Sequence, residues 1–162
     1  MSGVSLKYNL SDIEKLQNKI AQLGKLDTAD LMSSIGVEIE SQTRRRLSDE
    51  KTAPDGSAWE ALSDDWKERK RKGVKIGGVL VSSSGGILEF EGSLIDSITS
   101  ESGSDYVEVG SGEPYAAAQQ FGFEERNLPA RPYLGLSDEN MDDLAAVVND
   151  FVDDHIKEAI AA

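Results

Sequence analysis

Apolar residues recur at helical spacing through the first third of this chain and at strand spacing beyond residue 98, and that switch in period predicts the architecture. Ile13, Leu16, Ile20 and Leu23 lie three or four residues apart. Ser11 and Glu14 form a capping-box pair ahead of them and Gly24 supplies a stop, so a helix is predicted over 11–23. Leu31, Ile35 and Ile39 repeat the pattern in a second helix from about Thr28 to Leu47. The triplet Arg44-Arg45-Arg46 falls near its C-terminal end, where cations complement the helix dipole; a nucleic-acid contact is the other reading. Residues 48–62 form a loop centred on the turn Pro54-Asp55-Gly56, with Trp59 and Leu62 expected to pin it to the core.

Residues 67–86 break the periodicity. The stretch WKERKRKGVK at 66–75 is strongly basic and reads as a solvated helix face or mobile loop, or as a strip that reaches a phosphate backbone through Lys67, Arg69, Lys70, Arg71 and Lys72. Gly77-Gly78 and the tract SSSGG at 82–86 bracket a short strand, Val79–Val81. Gly92 leads into a helical turn whose Leu94, Ile95 and Ile98 face the core. Two strands follow, near 98–101 and 106–109, joined by SGSD, with Val107 and Val109 on one face. Pro114 opens a short helix that closes before Gly122, and Ser137-Asp138-Glu139-Asn140 caps a helix running to the C-terminus. Its apolar stripe is Leu144, Val148, Phe151, Val152, Ile156 and Ile160.

The predicted class is therefore α+β: a small antiparallel sheet packed by N-terminal helices and a long C-terminal one. The chain reads as one domain over 1–162, with a mainly helical part at 1–75 that holds the Pro-Asp-Gly loop, and an α+β core with the last helix at 76–162.

Charge sharpens this division. The net charge of −13 is uneven: residues 1–81 carry 14 Lys+Arg against 13 Asp+Glu, whereas 82–162 carry 3 against 17. The acidic half repels nucleic acid and also favours solubility. There are no cysteines, which excludes disulfides and thiolate metal sites. No stretch approaches the roughly 18 consecutive apolar residues that span a bilayer, so no membrane partner is expected.

Residues suited to chemistry are few. His155 is the sole histidine and reads as a partly exposed helical residue. The carboxylates at 138–143 and 150–154 lie on a helix and lack the glycine-hinged spacing of a calcium loop. Phosphate-binding glycine motifs are missing as well. No catalytic, cofactor or metal residues are assigned, and a structural or binding protein is expected rather than an enzyme. Two other classes stay open: an acidic mimic of DNA that occupies a basic nucleic-acid-binding partner, and a hydrolase working through Asp/Glu pairs.

Four motifs stand in fixed order: PDGSAWEAL at 54–62, EGSLIDSI at 91–98, YVEVGSGEPYAAAQQFG at 106–122 and LPARPYLGLS at 128–137. In that order and spacing the chain resembles the phage virion morphogenesis family, the Mu-like tail-completion proteins of tailed bacteriophages. It departs from the family at Glu91, where Ser or Thr is common, and in the loop at 67–86.

The resemblance implies a non-enzymatic virion component at the head-to-tail junction. It would be assembled in the bacterial host cytoplasm and would complete or terminate the tail as a homo-oligomeric, hexameric ring. The implied partners are further copies of itself, the tail tube and sheath or neck and connector proteins, with genomic DNA passing an acidic lumen.

In LPARPYLGLS, Pro129 and Pro132 hold the chain extended, Arg131 offers a forked donor, and Tyr133 and Leu134 can fill a pocket, which suits docking. The other reading is an ordered segment returning to its own sheet. Arg131, Pro132, Tyr133 and Leu134, with Pro54, Asp55, Trp59, Tyr115 and Phe121, are the candidate partner contacts. Segments 48–58 and 67–86 are expected to order on contact.

Overall fold

The computed structural model describes residues 3–8 and 27–161. The helix predicted over 11–23 lies outside them. The elements in order are β1 (Val4–Tyr8), α1 (Ala29–Arg45), a π-helical turn (Arg46–Glu50), α2 (Asp64–Lys72), β2 (Val74–Ile76), β3 (Val79–Val81), α3 (Ser93–Asp96), β4 (Ile98–Ser102), β5 (Val107–Ser111), α4 (Ala116–Phe121), a 3-10 turn (Glu124–Arg126) and α5 (Asp138–Ala161). The fold is α+β with a small antiparallel sheet and a long C-terminal helix, as predicted.

The sheet has the order β1-β5-β4, antiparallel throughout, with Leu6 and Ser100 both opposite Val109. Alternation turns Val107 and Val109 inward, fully buried, and Glu108 outward. α1 lies across this inner face and buries Leu31, Met32, Ile35 and Ile39. Each such side chain contributes roughly 1.5–3 kcal/mol. Gly36 permits the close approach, since a Cβ there would stand 3.3 Å from Ser100. α5 packs on α1 through Leu144 and Val148.

Two strands were not expected. β1 carries the alternation Val-Ser-Leu-Lys-Tyr, legible as strand spacing yet silent about its partner. β2 falls in the basic segment and pairs with β3 across Gly77 and Gly78, whose φ of 57° and 87° suit a two-residue hairpin turn. Of the two readings of the basic run, helix face or mobile loop, the helix face holds as far as Lys72, and a hairpin that includes the expected strand Val79–Val81 follows. α1 also ends differently: the backbone widens into the π turn and stops at Lys51 in the left-handed region, φ 56°.

Candidate functional site

Two regions hold the candidate residues: a buried knot around Tyr133 and an open cleft beside α2. In the knot, Arg46 is 1% exposed. Its guanidinium donates to the Tyr133 carbonyl at 3.1 Å, the Gly135 carbonyl at 2.8 Å and Asn140 Oδ1 at 2.5 Å. Asn140 Oδ1 also accepts from Ser137 N–H, while Asn140 N–H donates to Ser137 Oγ, so the reciprocal cap of α5 is built into the knot. Gln120 Oε1 accepts from the backbone N–H of both Tyr133 and Leu134, and Gln120 Nε2 returns a bond to the Leu134 carbonyl.

The Pro-Asp-Gly loop closes on the same segment. Asp55 Oδ1 accepts from Ser57 N–H and Oγ, which sets the turn and holds the Asp55 carboxyl below its ordinary range. Trp59 Nε1 donates to the Pro132 carbonyl at 2.9 Å, and Arg131 Nε donates to the Glu60 carbonyl at 3.1 Å. Gly135, at φ 146°, lies so close to Pro54 that a Cβ would come within 2.5 Å of its ring. Burial, with a further contribution from the nearby Tyr115, pushes the Tyr133 phenol well above its ordinary range.

This geometry corrects several expectations. Arg131, Tyr133, Leu134 and Trp59 are buried, so these candidate partner contacts hold the LPARPYL segment to its own fold instead of presenting it. Trp59 does act as the expected loop anchor. Pro132 and Pro54 are half-buried in the same packing, and Asp55 is exposed at the turn. The arginine triplet is tied down likewise: Arg44 reaches Glu40 and the Ile98 carbonyl, Arg45 reaches Glu50, and Arg46 is interior.

The cleft, about 690 Å³, is lined by Trp66 and Lys70 of α2, Val74 and Ile76 of β2, Phe90, Tyr115, Gln119 and the stretch from Arg126 to Pro129, together with Arg131 and the acidic residues Glu60, Glu89 and Glu91. Ser63 Oγ caps α2 by accepting from Trp66 N–H, which sets the Trp66 ring 6.2 Å from Phe90. Lys70 is 4% exposed and its Nζ donates to the carbonyls of Gly85, Gly86 and Glu89. Burial lowers its pKa below the ordinary lysine value.

Lys70 therefore cannot reach a DNA phosphate as expected, because its ammonium fills the carbonyl cradle of the loop behind it. Lys67 pairs with Asp64 and Lys72 with Glu68, while Arg69 lies over the Trp66 ring at 5.8 Å. Arg71 is exposed. Tyr115 and Phe121, at 42% and 63% exposure, are the aromatic candidates that do face outward. Phe123, capped by Arg126 at 5.7 Å, joins them without a motif to announce it.

His155 hydrogen-bonds through Nδ1 to the Phe151 carbonyl within its helix. Among the described residues no group of three His, Cys, Asp or Glu could hold a metal ion, and none of their helices is long and apolar enough to cross a membrane.

Comparison with known proteins makes the chain a structural component of phage particle assembly. The chain belongs to the phage virion morphogenesis family, whose sequence model matches residues 8–156. It is similar to the Haemophilus influenzae protein named "Mu-like prophage FluMu G protein 1", at 27% identity over 148 residues, covering 90% of this chain and 92% of that relative. It is also similar to the Escherichia phage Mu protein named "Putative capsid assembly protein G", at 32% identity over 145 residues, covering 82% and 86%. No solved structure matches the chain.

Proposed function

We propose that this protein completes or terminates the phage tail as a homo-oligomeric ring that joins the tail tube to the neck, acting through assembly and not through catalysis. The observation that carries this reading is the family match over residues 8–156, nearly the whole chain. Two features support it. The knot stiffens the scaffold with its own motif residues, and Tyr115, Phe121 and Phe123 remain available to neighbours. The acidic outer face of α5, repeated around a ring, would line a surface that DNA slides past. Its place is the virion, at the tail and neck.

Deleting the gene and imaging the products by electron microscopy tests this directly. Filled heads beside unjoined or overlong tails are expected, with normal particles restored by the intact gene. Joined, infectious particles without it would overturn the proposal. The name of the phage Mu relative favours a second reading, a role in building the head. Normal tails accompanied by missing or malformed heads would establish that one instead.

A further inference from the structure

We propose that the cleft beside α2 seats an uncharged, extended stretch of backbone from another protein, held by Arg131 and Gln119 with an aliphatic side chain laid against Trp66 and Phe90. The inference goes beyond the ring reading and does not require it. Arg131 is 4% exposed and lines the cleft, yet the fold engages only its Nε, which donates to the Glu60 carbonyl at 3.1 Å. Its terminal nitrogens have no hydrogen-bond or ion-pair partner among the described residues. Gln119 lines the same cleft, and its Oε1 is buried without a partner. Donors and acceptors left unmet at such depth cost stability until a ligand meets them.

The knot shows what such a pair of groups holds. There Arg46 donates to the Tyr133 and Gly135 carbonyls while Gln120 accepts from the N–H groups of Tyr133 and Leu134, and together they fasten a segment that lies outside any sheet. Gln119 and Gln120 are neighbours on α4, and Arg131 N–H donates to the Gln119 carbonyl at 2.7 Å, so the cleft repeats the arginine-and-glutamine pair with its hydrogen bonds unspent. A half-turn of the Gln119 amide about its last bond, a broad two-fold rotor, brings Oε1 to an incoming N–H while Arg131 takes a carbonyl beside it. Charge selects a neutral guest. Lys70, Arg126 and Arg131 stand against Glu60, Glu89 and Glu91 along the lining, three against three. Lys70 is spent on loop carbonyls and Glu89 on Lys51, whereas Glu60 and Glu91 form no ion pair among the described residues and would repel a carboxylate or phosphate brought to Arg131. The rest of the lining is apolar enough for a side chain on the same segment: the Trp66 and Phe90 rings lie 6.2 Å apart, and Ile76 and Tyr115 are 41% and 42% exposed.

Nuclear magnetic resonance titration of the full chain tests the seat. The probe is a blocked pentapeptide, acetylated and amidated, with a central leucine flanked by alanine and serine; a second probe carries aspartate in place of the leucine. The leucine peptide is expected to shift the signals of the Trp66 indole and the Gln119 side-chain amide, and the aspartate peptide to bind more weakly. Arg131→Lys keeps the charge but loses the fork, and should weaken the leucine peptide roughly tenfold. Gln119→Leu removes an amide that the fold leaves unpaired, so it should keep its melting temperature while weakening the peptide roughly fivefold. Circular dichroism melts of each variant separate lost binding from lost folding.

If neither signal moves up to the solubility limit of the leucine peptide, or if both variants bind it as wild type does, the seat is wrong. A tighter aspartate peptide would make the cleft a receptor for acidic side chains. The same shifts produced by raising the protein's own concentration, and lost in Gln119→Leu, would give the cleft to a second copy of this chain. Shifts of these signals on adding duplex DNA would assign it to nucleic acid. Each of these results would overturn the proposed guest and leave the ring reading untouched.

Discussion

The knot around Tyr133 and the cleft beside α2 both contain arginine, aromatic rings and apolar residues, yet they use them in opposite ways. In the knot every outward option is closed: Arg46 bonds two carbonyls and an amide, Trp59 reaches the Pro132 carbonyl, and the ring of Tyr133 is fully buried. At the cleft Lys70 and Arg131 are drawn inside, while Arg69 and Arg71 of the adjoining helix and the Tyr115 ring face solvent. The difference lies in what each carbonyl needs. In segment 128–137 Leu128 pairs with Phe123 and Arg131 N–H donates to the Gln119 carbonyl, but the carbonyls from Pro132 to Gly135 have no backbone donor among the described residues and are met by the side chains of Trp59, Arg46 and Gln120. The exposed end of α2 and the hairpin satisfy their own backbone and leave side chains free.

Substitutions in the two regions should therefore differ sharply in their cost to stability. Arg46→Ala is expected to cost most, roughly 3–5 kcal/mol, because three buried acceptors lose their donor and a cavity opens. Urea unfolding would measure it, and a loss below about 1 kcal/mol would mean that water replaces the guanidinium. Gly135→Ala comes next at roughly 2 kcal/mol, since alanine is strained at φ 146° and its methyl meets Pro54. Thermal melting reads that loss, which should shrink when Pro54→Ala is added. Ser137→Ala removes the cap from α5 and should cost about 1 kcal/mol, visible as earlier loss of helical ellipticity.

The smallest effect concerns the loop behind the cleft. The Lys51 ammonium, 2.8 Å from Glu89, holds that carboxyl below its ordinary value of 4.5. A depressed folded pKa gives stability that is present above pH 4.5 and lost as pH falls through the folded value. The melting-temperature gap between wild type and Glu89→Gln should thus be widest near neutral pH and narrow as pH falls below the ordinary carboxylate value of 4.5. A gap that persists in acid would show that the glutamine disturbs packing instead. In contrast with all four, Arg71→Glu should leave stability within about 0.5 kcal/mol by urea unfolding, because the side chain is exposed.

Several elements were legible because one local rule governs them. The alternation in Val107 and Val109, the turn at Gly77-Gly78 and the Ser137 cap need only nearest neighbours to be read, whereas β2, which that turn joins to β3, was hidden in a basic run. The direction of a side chain is different. Tyr133 and Phe121 belong to neighbouring motifs of similar appearance, yet one is buried and the other is 63% exposed. Lys67 and Lys70 share a basic run, and only Lys70 finds three carbonyls.

By itself the sequence determined the α+β class, the periods of its helices and strands, the charge division between its halves and, through four ordered motifs, the family. Tertiary structure alone decided which cations and aromatics were spent inside. A motif residue turns inward when a distant segment brings it an unpaired backbone group, as 128–137 does for Arg46 and Trp59, and that need depends on which segments meet in space.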